Sequence, residues 1–406
     1  MTYDFDEIID RQHTNALNTD GFRGYIFHAG PEKTFPYKDD EFIRMWVADM
    51  EFATPPAICE ALKERIDRRI FGYTGVFDGS FYQAFSSWCK RRYDWTFPKE
   101  ELLFSPGVIP ALYELVEILT SPYEKVLITT PSYGFFKHAV DYSGRTLVTS
   151  PLVRQDDGRF TIDFDDLERK AADPQMKLLI WCNPHNPTCR VWTEDELRRV
   201  AAIVEKYNLW IISDEIHCDL LRQGKQHIPM GKIMATYEKL VTCMSASKTF
   251  NMAGFMFSDI IIRNAPLRKL YIKRDKTAHM INPLSLVAHE TAYTKCDDWL
   301  DELHAYLDGN FQFVAEFLQE HLPQCQFTIS EATYLAWVDM NPYLGDVDDI
   351  PDFFANNAGV LLEGGNDLFV GNAKGFVRLN LAMPRSLIKT GLERMVVAIE
   401  KHKREK

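Results

Sequence analysis

Between residues 125 and 262 the chain alternates short apolar runs with helical patterns, and this rhythm restricts the possible fold more than any other feature. The runs 125–130, 146–149, 177–182, 209–213, 240–244 and 259–262 read as strands, with an earlier one at 102–104. The run 177–182 is almost wholly apolar, as a strand buried on both faces must be. Between the runs lie helices such as the one behind Thr193-Glu194-Asp195-Glu196, a capping box followed by Leu197, Val200, Ala201 and Val204 on one face. Strands joined through helices pair in parallel, so the pattern predicts an α/β fold with a mostly parallel, doubly wound sheet. Past residue 285 the texture changes to a long helix near 299–322, strands at 334–338 and 375–381, and a last helix at 387–401. This part reads as a smaller α+β domain.

Other readings narrow by exclusion. The chain has 406 residues, 46% of them hydrophobic, which is enough for a large core in two domains. Its 46 Lys and Arg against 58 Asp and Glu give a formal charge of −12, which argues against nucleic acid as the main ligand. No apolar run is long enough to span a bilayer, and the acidic opening residues do not read as a secretion signal. Eight cysteines form no CxxC pair, and reduced thiols in a cytoplasmic setting are the expectation. The grouping of His185, Cys189, His217 and Cys218 invites a metal site, but the cysteines fall on different loops and no short ligand pair recurs.

In an open parallel sheet, ligands bind beyond the carboxyl ends of the strands. The polar or turn residues at those ends are Gly107, Tyr133, Asn183, Asp214, His217 and Lys248. Gly107 opens a helix and offers free N–H groups to a phosphate, or is a plain strand-to-helix turn. Asp214 can pair with a protonated ring nitrogen, or cap the next segment. Lys248, in Ser245-Ala246-Ser247-Lys248, is either a solvated loop lysine or an amine able to form a Schiff base with an aldehyde cofactor. Arg378 lies in an apolar strand, which favours a bidentate carboxylate contact over a surface ion pair.

Four motifs together resemble the fold-type I pyridoxal-phosphate enzymes of the class I/II aminotransferase superfamily: Asn183-Pro184-His185-Asn186-Pro187-Thr188, Ser213-Asp214-Glu215-Ile216-His217, Ser245 to Asn251, and Phe376-Val377-Arg378-Leu379-Asn380. Trp46 to Phe52, the His of the Asn-Pro motif and Asp-Glu-Ile-His are similar to its cystathionine β-lyase, or carbon-sulfur lyase, branch. The resemblance implies an aspartate aminotransferase-like fold with a seven-stranded sheet, residues 46–290 forming the large cofactor-binding domain and residues 1–45 and 291–406 the small one. It implies pyridoxal 5'-phosphate as cofactor, Lys248 as the Schiff-base lysine and Asp214 as the pyridinium partner. Asn183 is then expected at the O3′ oxygen, Tyr133 on the ring, His217 beside them, and Gly107, Val108, Ile109, Ser245 and Ser247 around the phosphate. Arg378 and Asn183 are expected to meet the substrate, and Tyr73 to reach the neighbouring subunit's phosphate in a homodimer.

The implied reaction is α,β-elimination of cystathionine or a related S-substituted cysteine, with transamination as the alternative and a binding protein of little catalytic flux as a third. Three departures stand out. His217 occupies a position where many aminotransferases carry tyrosine, Met256 one where an arginine is usual, and Cys189 one where the Asn-Pro motif ordinarily ends in glycine. Specificity for the substrate's distal group is expected from residues 1–45 and 334–370.

Overall fold

The computed structural model describes residues 2–274, 280–365 and 368–405. The strands of its two larger sheets, numbered in chain order, are β1 (Ile43–Met45), β2 (Leu102–Ser105), β3 (Lys125–Thr130), β4 (Thr146–Pro151), β5 (Met176–Cys182), β6 (Trp210–Asp214), β7 (Leu240–Met244), β8 (Ser258–Ile262), β9 (Leu335–Asp339), β10 (Val360–Gly364) and β11 (Phe376–Asn380). Seven of them form one sheet in the order β2-β8-β7-β6-β5-β3-β4. The pairs from β7 to β4 are parallel, and β8 runs antiparallel to both its neighbours. The expected mostly parallel seven-stranded sheet is therefore present. Strands β5 to β8 are buried along nearly their whole length, as their unbroken apolar character requires.

The helices follow their sequence signals. Thr193 and Glu196 close the capping box at the start of Glu194–Lys206, whose Leu197, Val200, Ala201 and Val204 turn into the core. Val108–Leu119 buries Val108, Ala111, Leu112, Leu115, Val116 and Leu119 against the centre of the sheet. Asp297–His321 carries its apolar stripe from the large sheet's flank, through Leu300, Leu303 and Leu307, to a second core through Phe311, Val314 and Leu318.

That second core covers a four-stranded sheet in the order β1-β10-β11-β9. The outer strand β1 comes from the N-terminal part of the chain and pairs in parallel with β10. Its next residues, Trp46 to Phe52, cross toward the large sheet. Asn380 donates to the Val47 and Asp49 carbonyls at 2.8 and 2.5 Å, and Asn251 exchanges hydrogen bonds with Met50 and donates to the Phe52 carbonyl. Two segments some two hundred residues apart are thus laced through one side chain, Asn251, three positions after Lys248. Among the described residues no helix is long and apolar enough to cross a membrane.

Candidate active site

A cleft of about 290 Å³ opens where the carboxyl ends of the large sheet face β11 of the small one. It gathers Gly107, Val108, Ile109, Tyr133, Asp214, His217, Ser247, Lys248 and Arg378, which the strand-end rule and the motifs had pointed to from scattered positions. Ser258 joins them because β8 runs the other way, which brings its amino end to the same edge.

Lys248 is partly buried at the floor, and its Nζ donates to the Ala48 carbonyl at 2.5 Å. Tyr334 donates to the same oxygen at 2.8 Å. Burial pushes the Lys248 ammonium down to about 8, with Asp49 opposing that shift, Arg378 adding to it and Asp214 opposing it again. Asp214 ends β6 and accepts from the Ile216 N–H at 3.1 Å. Burial raises its carboxyl to about 7. His217 is buried and held neutral, its imidazole driven down to about 3 by desolvation and then by the Lys248 and Arg378 charges; its Nδ1 has no hydrogen-bond partner among the described residues.

Three expected residues, Asn183, Ser245 and Tyr73, lie outside the cleft. Asn183 is buried, but its amide donates to the Ile228 carbonyl at 3.0 Å and does not line the cleft. The reason is strand alternation: Cys182, one residue earlier, faces the cleft, so Asn183 turns to the opposite side. Asn186 enters instead, accepting from Arg378 Nη1 at 3.3 Å. Ser245 is likewise spent on the fold, donating to the Phe257 carbonyl at 2.8 Å while accepting from the Ser247 N–H at 3.1 Å. Tyr73 stands 95% exposed, outside the cleft of its own chain.

Arg378 is buried, with Nη2 donating to the Trp46 carbonyl at 3.4 Å and its guanidinium over the Phe369 ring. Its Nε has no hydrogen-bond partner among the described residues. Tyr133 hydrogen-bonds Tyr25, a residue of the N-terminal segment. Glu363 also lines the wall. Sequence reasoning assigned specificity to both stretches without naming either residue, since neither ends a strand of the large sheet. Tyr334 and the Ala48 carbonyl carry no signal in the sequence, because only tertiary packing brings them to Lys248.

The donor set suits a phosphorylated, aldehyde-bearing pyridine. Val108–Leu119 begins at Gly107 with no side-chain cap, so its first N–H groups remain available to a phosphate beside Val108 and Ile109. A partly buried amine, a buried carboxyl, and His217 Nδ1 and Arg378 Nε, which have no hydrogen-bond partner among the described residues, complete the set. Met256 supplies no charge where an arginine is usual, leaving the phosphate end to N–H groups and the Ser247 hydroxyl.

The model of the family described as aminotransferase class I and II matches residues 40–395. The chain belongs to that family. It is 37% identical over 359 residues to cystathionine beta-lyase PatB of Bacillus subtilis, covering 87% of this chain and 92% of that protein. With protein MalY of Escherichia coli the identity is 31% over 98% of this chain and 99% of the other. Among solved structures, the PLP-bound C-S lyase from Staphylococcus hominis superposes with a TM-score of 0.93 at 46% identity, over 98% of both chains. Cystalysin from Treponema denticola, which contains pyridoxal 5'-phosphate, gives 0.89 at 33% identity over 99% of this chain and 100% of that one.

Proposed function

We propose that the protein is a pyridoxal-phosphate-dependent C–S lyase that splits S-substituted cysteines, with water, into pyruvate, ammonia and a thiol. The observation that carries this reading is the meeting of Lys248, Asp214 and Arg378 in one buried cleft, in a chain so similar over its whole length to a PLP-bound C-S lyase.

When bound, the cofactor supplies an aldehyde that condenses with amines and a ring that takes up the electron pair released at Cα. Lys248 is the residue to bear it and, once displaced by substrate, the base. Burial lowers the hold of Nζ on its proton, so that a larger fraction than for an exposed lysine is unprotonated near neutral pH and able to accept the Cα proton. Asp214 is the partner for the ring nitrogen's proton, and a cation there favours its ionised form. Tyr133 packs on the ring, and Asn186, in place of Asn183, is the donor to the ring oxygen, with neutral His217 beside it. Gly107, Val108, Ile109 and Ser247 hold the phosphate, and Ser245 shapes that turn. Arg378, oriented by Asn186 and Trp46, takes the substrate α-carboxylate.

Tyr73 is proposed to complete the phosphate site of a second copy in a homodimer, which accords with its exposure and with exposed Ile70, Phe71, Phe77 and Met280. The eight free cysteines support a cytoplasmic setting. Incubation with L-cystathionine and other S-substituted cysteines, without any 2-oxo acid, tests the function. Pyruvate release that disappears in Lys248→Ala is expected. Amino-group exchange dependent on a 2-oxo acid, with no pyruvate from any thioether, would make the protein an aminotransferase instead.

A further inference from the structure

Two carboxylates line the cleft among the described residues, Asp214 and Glu363, and the elimination chemistry uses only the first. Glu363 is 5% exposed and lies on β10 directly opposite Arg378 of β11. Opposed residues of an antiparallel pair project from the same face with Cβ atoms about 5 Å apart, so the carboxylate and the guanidinium share one wall. The negative charge of Glu363 reaches the Tyr25 phenol, which burial and then that charge push upward, and it acts on Tyr133 as well.

An amino acid held by its α-carboxylate at Arg378 therefore extends its side chain past a buried negative charge. Val47 and Leu368 on the same cleft offer apolar surface for a methylene stem. Building on the C–S lyase reading, we propose that Glu363, with the Tyr25 phenol beside it, forms a subsite for a distal cation, selecting S-substituted cysteines whose leaving group ends in an ammonium. A charge-assisted hydrogen bond favours that group, and like-charge repulsion disfavours a leaving group ending in a carboxylate.

A charge series of similar length tests the subsite: S-(2-aminoethyl)-, S-propyl- and S-(2-carboxyethyl)-L-cysteine. Wild type is expected to give kcat/KM in that descending order, the ammonium substrate ahead of the propyl one by about tenfold or more. In Glu363→Gln the ratio collapses toward one, and Tyr25→Phe reduces it in part. Equal losses for all three substrates would mean that Glu363 only supports Arg378, and would overturn the subsite. Absence of any ammonium preference in wild type would overturn it too, whether or not the variants fold. Calorimetric binding of L-lysine against L-norleucine, neither of which has a sulfur leaving group, separates the two readings. If no substrate yields pyruvate yet L-lysine binds more tightly in a Glu363-dependent way, elimination fails and the subsite stands. If the two bind alike, the subsite fails.

Discussion

The Lys248 ammonium is costly to the fold, and that cost can be measured without the cofactor. In the unfolded chain the group titrates at 10.5; in the folded protein burial brings it to about 8. Between these values the unfolded chain holds a proton that the native protein has shed, so stability rises with pH across the window from about 8 to 10.5. The full difference corresponds to roughly 3 kcal/mol. Lys248→Met keeps the methylene stem and removes the charge. Cofactor-free variant is therefore expected to be more stable than cofactor-free wild type at pH 7, with the gap closing by pH 10.5.

Two features make roughly 3 kcal/mol a ceiling. Lys248 is only partly buried, and removal of its charge frees Asp214 of an attraction that lowers that carboxyl. A native gap of about 1–3 kcal/mol remains as the expectation at pH 7. The assay is urea unfolding of both cofactor-free proteins from pH 7 to 10.5 at fixed ionic strength. Parallel pH profiles, or a variant less stable than wild type at pH 7, would refute the reasoning.

The remaining predictions concern the site and its turn. Asp214→Asn removes the ring-nitrogen partner and should lower pyruvate release by about a hundredfold or more, with circular dichroism unchanged. Mixing Lys248→Ala with Tyr73→Ala subunits under exchange should restore activity absent from either alone, because one site of the mixed dimer is then wild type; no recovery would place Tyr73 in its own chain's site. Cys189 adopts φ 57°, a left-handed conformation that costs a non-glycine residue about 1–2 kcal/mol. Its side chain is buried, with Sγ 3.2 Å from the Leu335 carbonyl, so both truncations lose packing. Cys189→Gly should nevertheless unfold at higher urea than Cys189→Ala, by about 1 kcal/mol, the reverse of the usual order for these residues.

Much of the architecture was legible because burial on both faces leaves a periodicity that needs no partner to be seen. The runs at 125–130 and 240–244 coincide with β3 and β7, and the capping box at Thr193 with its helix. The three-residue strand β1 was not legible: it owes its extended form to pairing with β10, across more than three hundred residues of chain. The antiparallel sense of β8 was equally hidden, and with it the arrival of Ser258 at the cleft. Asn183 shows a sharper limit. Both asparagines of the Asn-Pro motif are buried, and which one faces the cleft depends on how the chain turns after β5 ends at Cys182, which the motif's residue types do not decide.

Trp46 to Phe52 and Ser245 to Asn251 are separate motifs in the sequence and one structure in the fold. Lys248 Nζ meets the Ala48 carbonyl, while Asn251 on the next turn fixes Met50 and Phe52. The backbone acceptor and the amine are therefore positioned by a single pair of interlocked segments. Nζ donates to a carbonyl and not to an acid, and burial outweighs the pull that the Asp49 and Asp214 charges exert on its proton. A lysine fixed in this way is kept both in place and easily deprotonated, which are the two properties that imine formation and Cα proton transfer require of it.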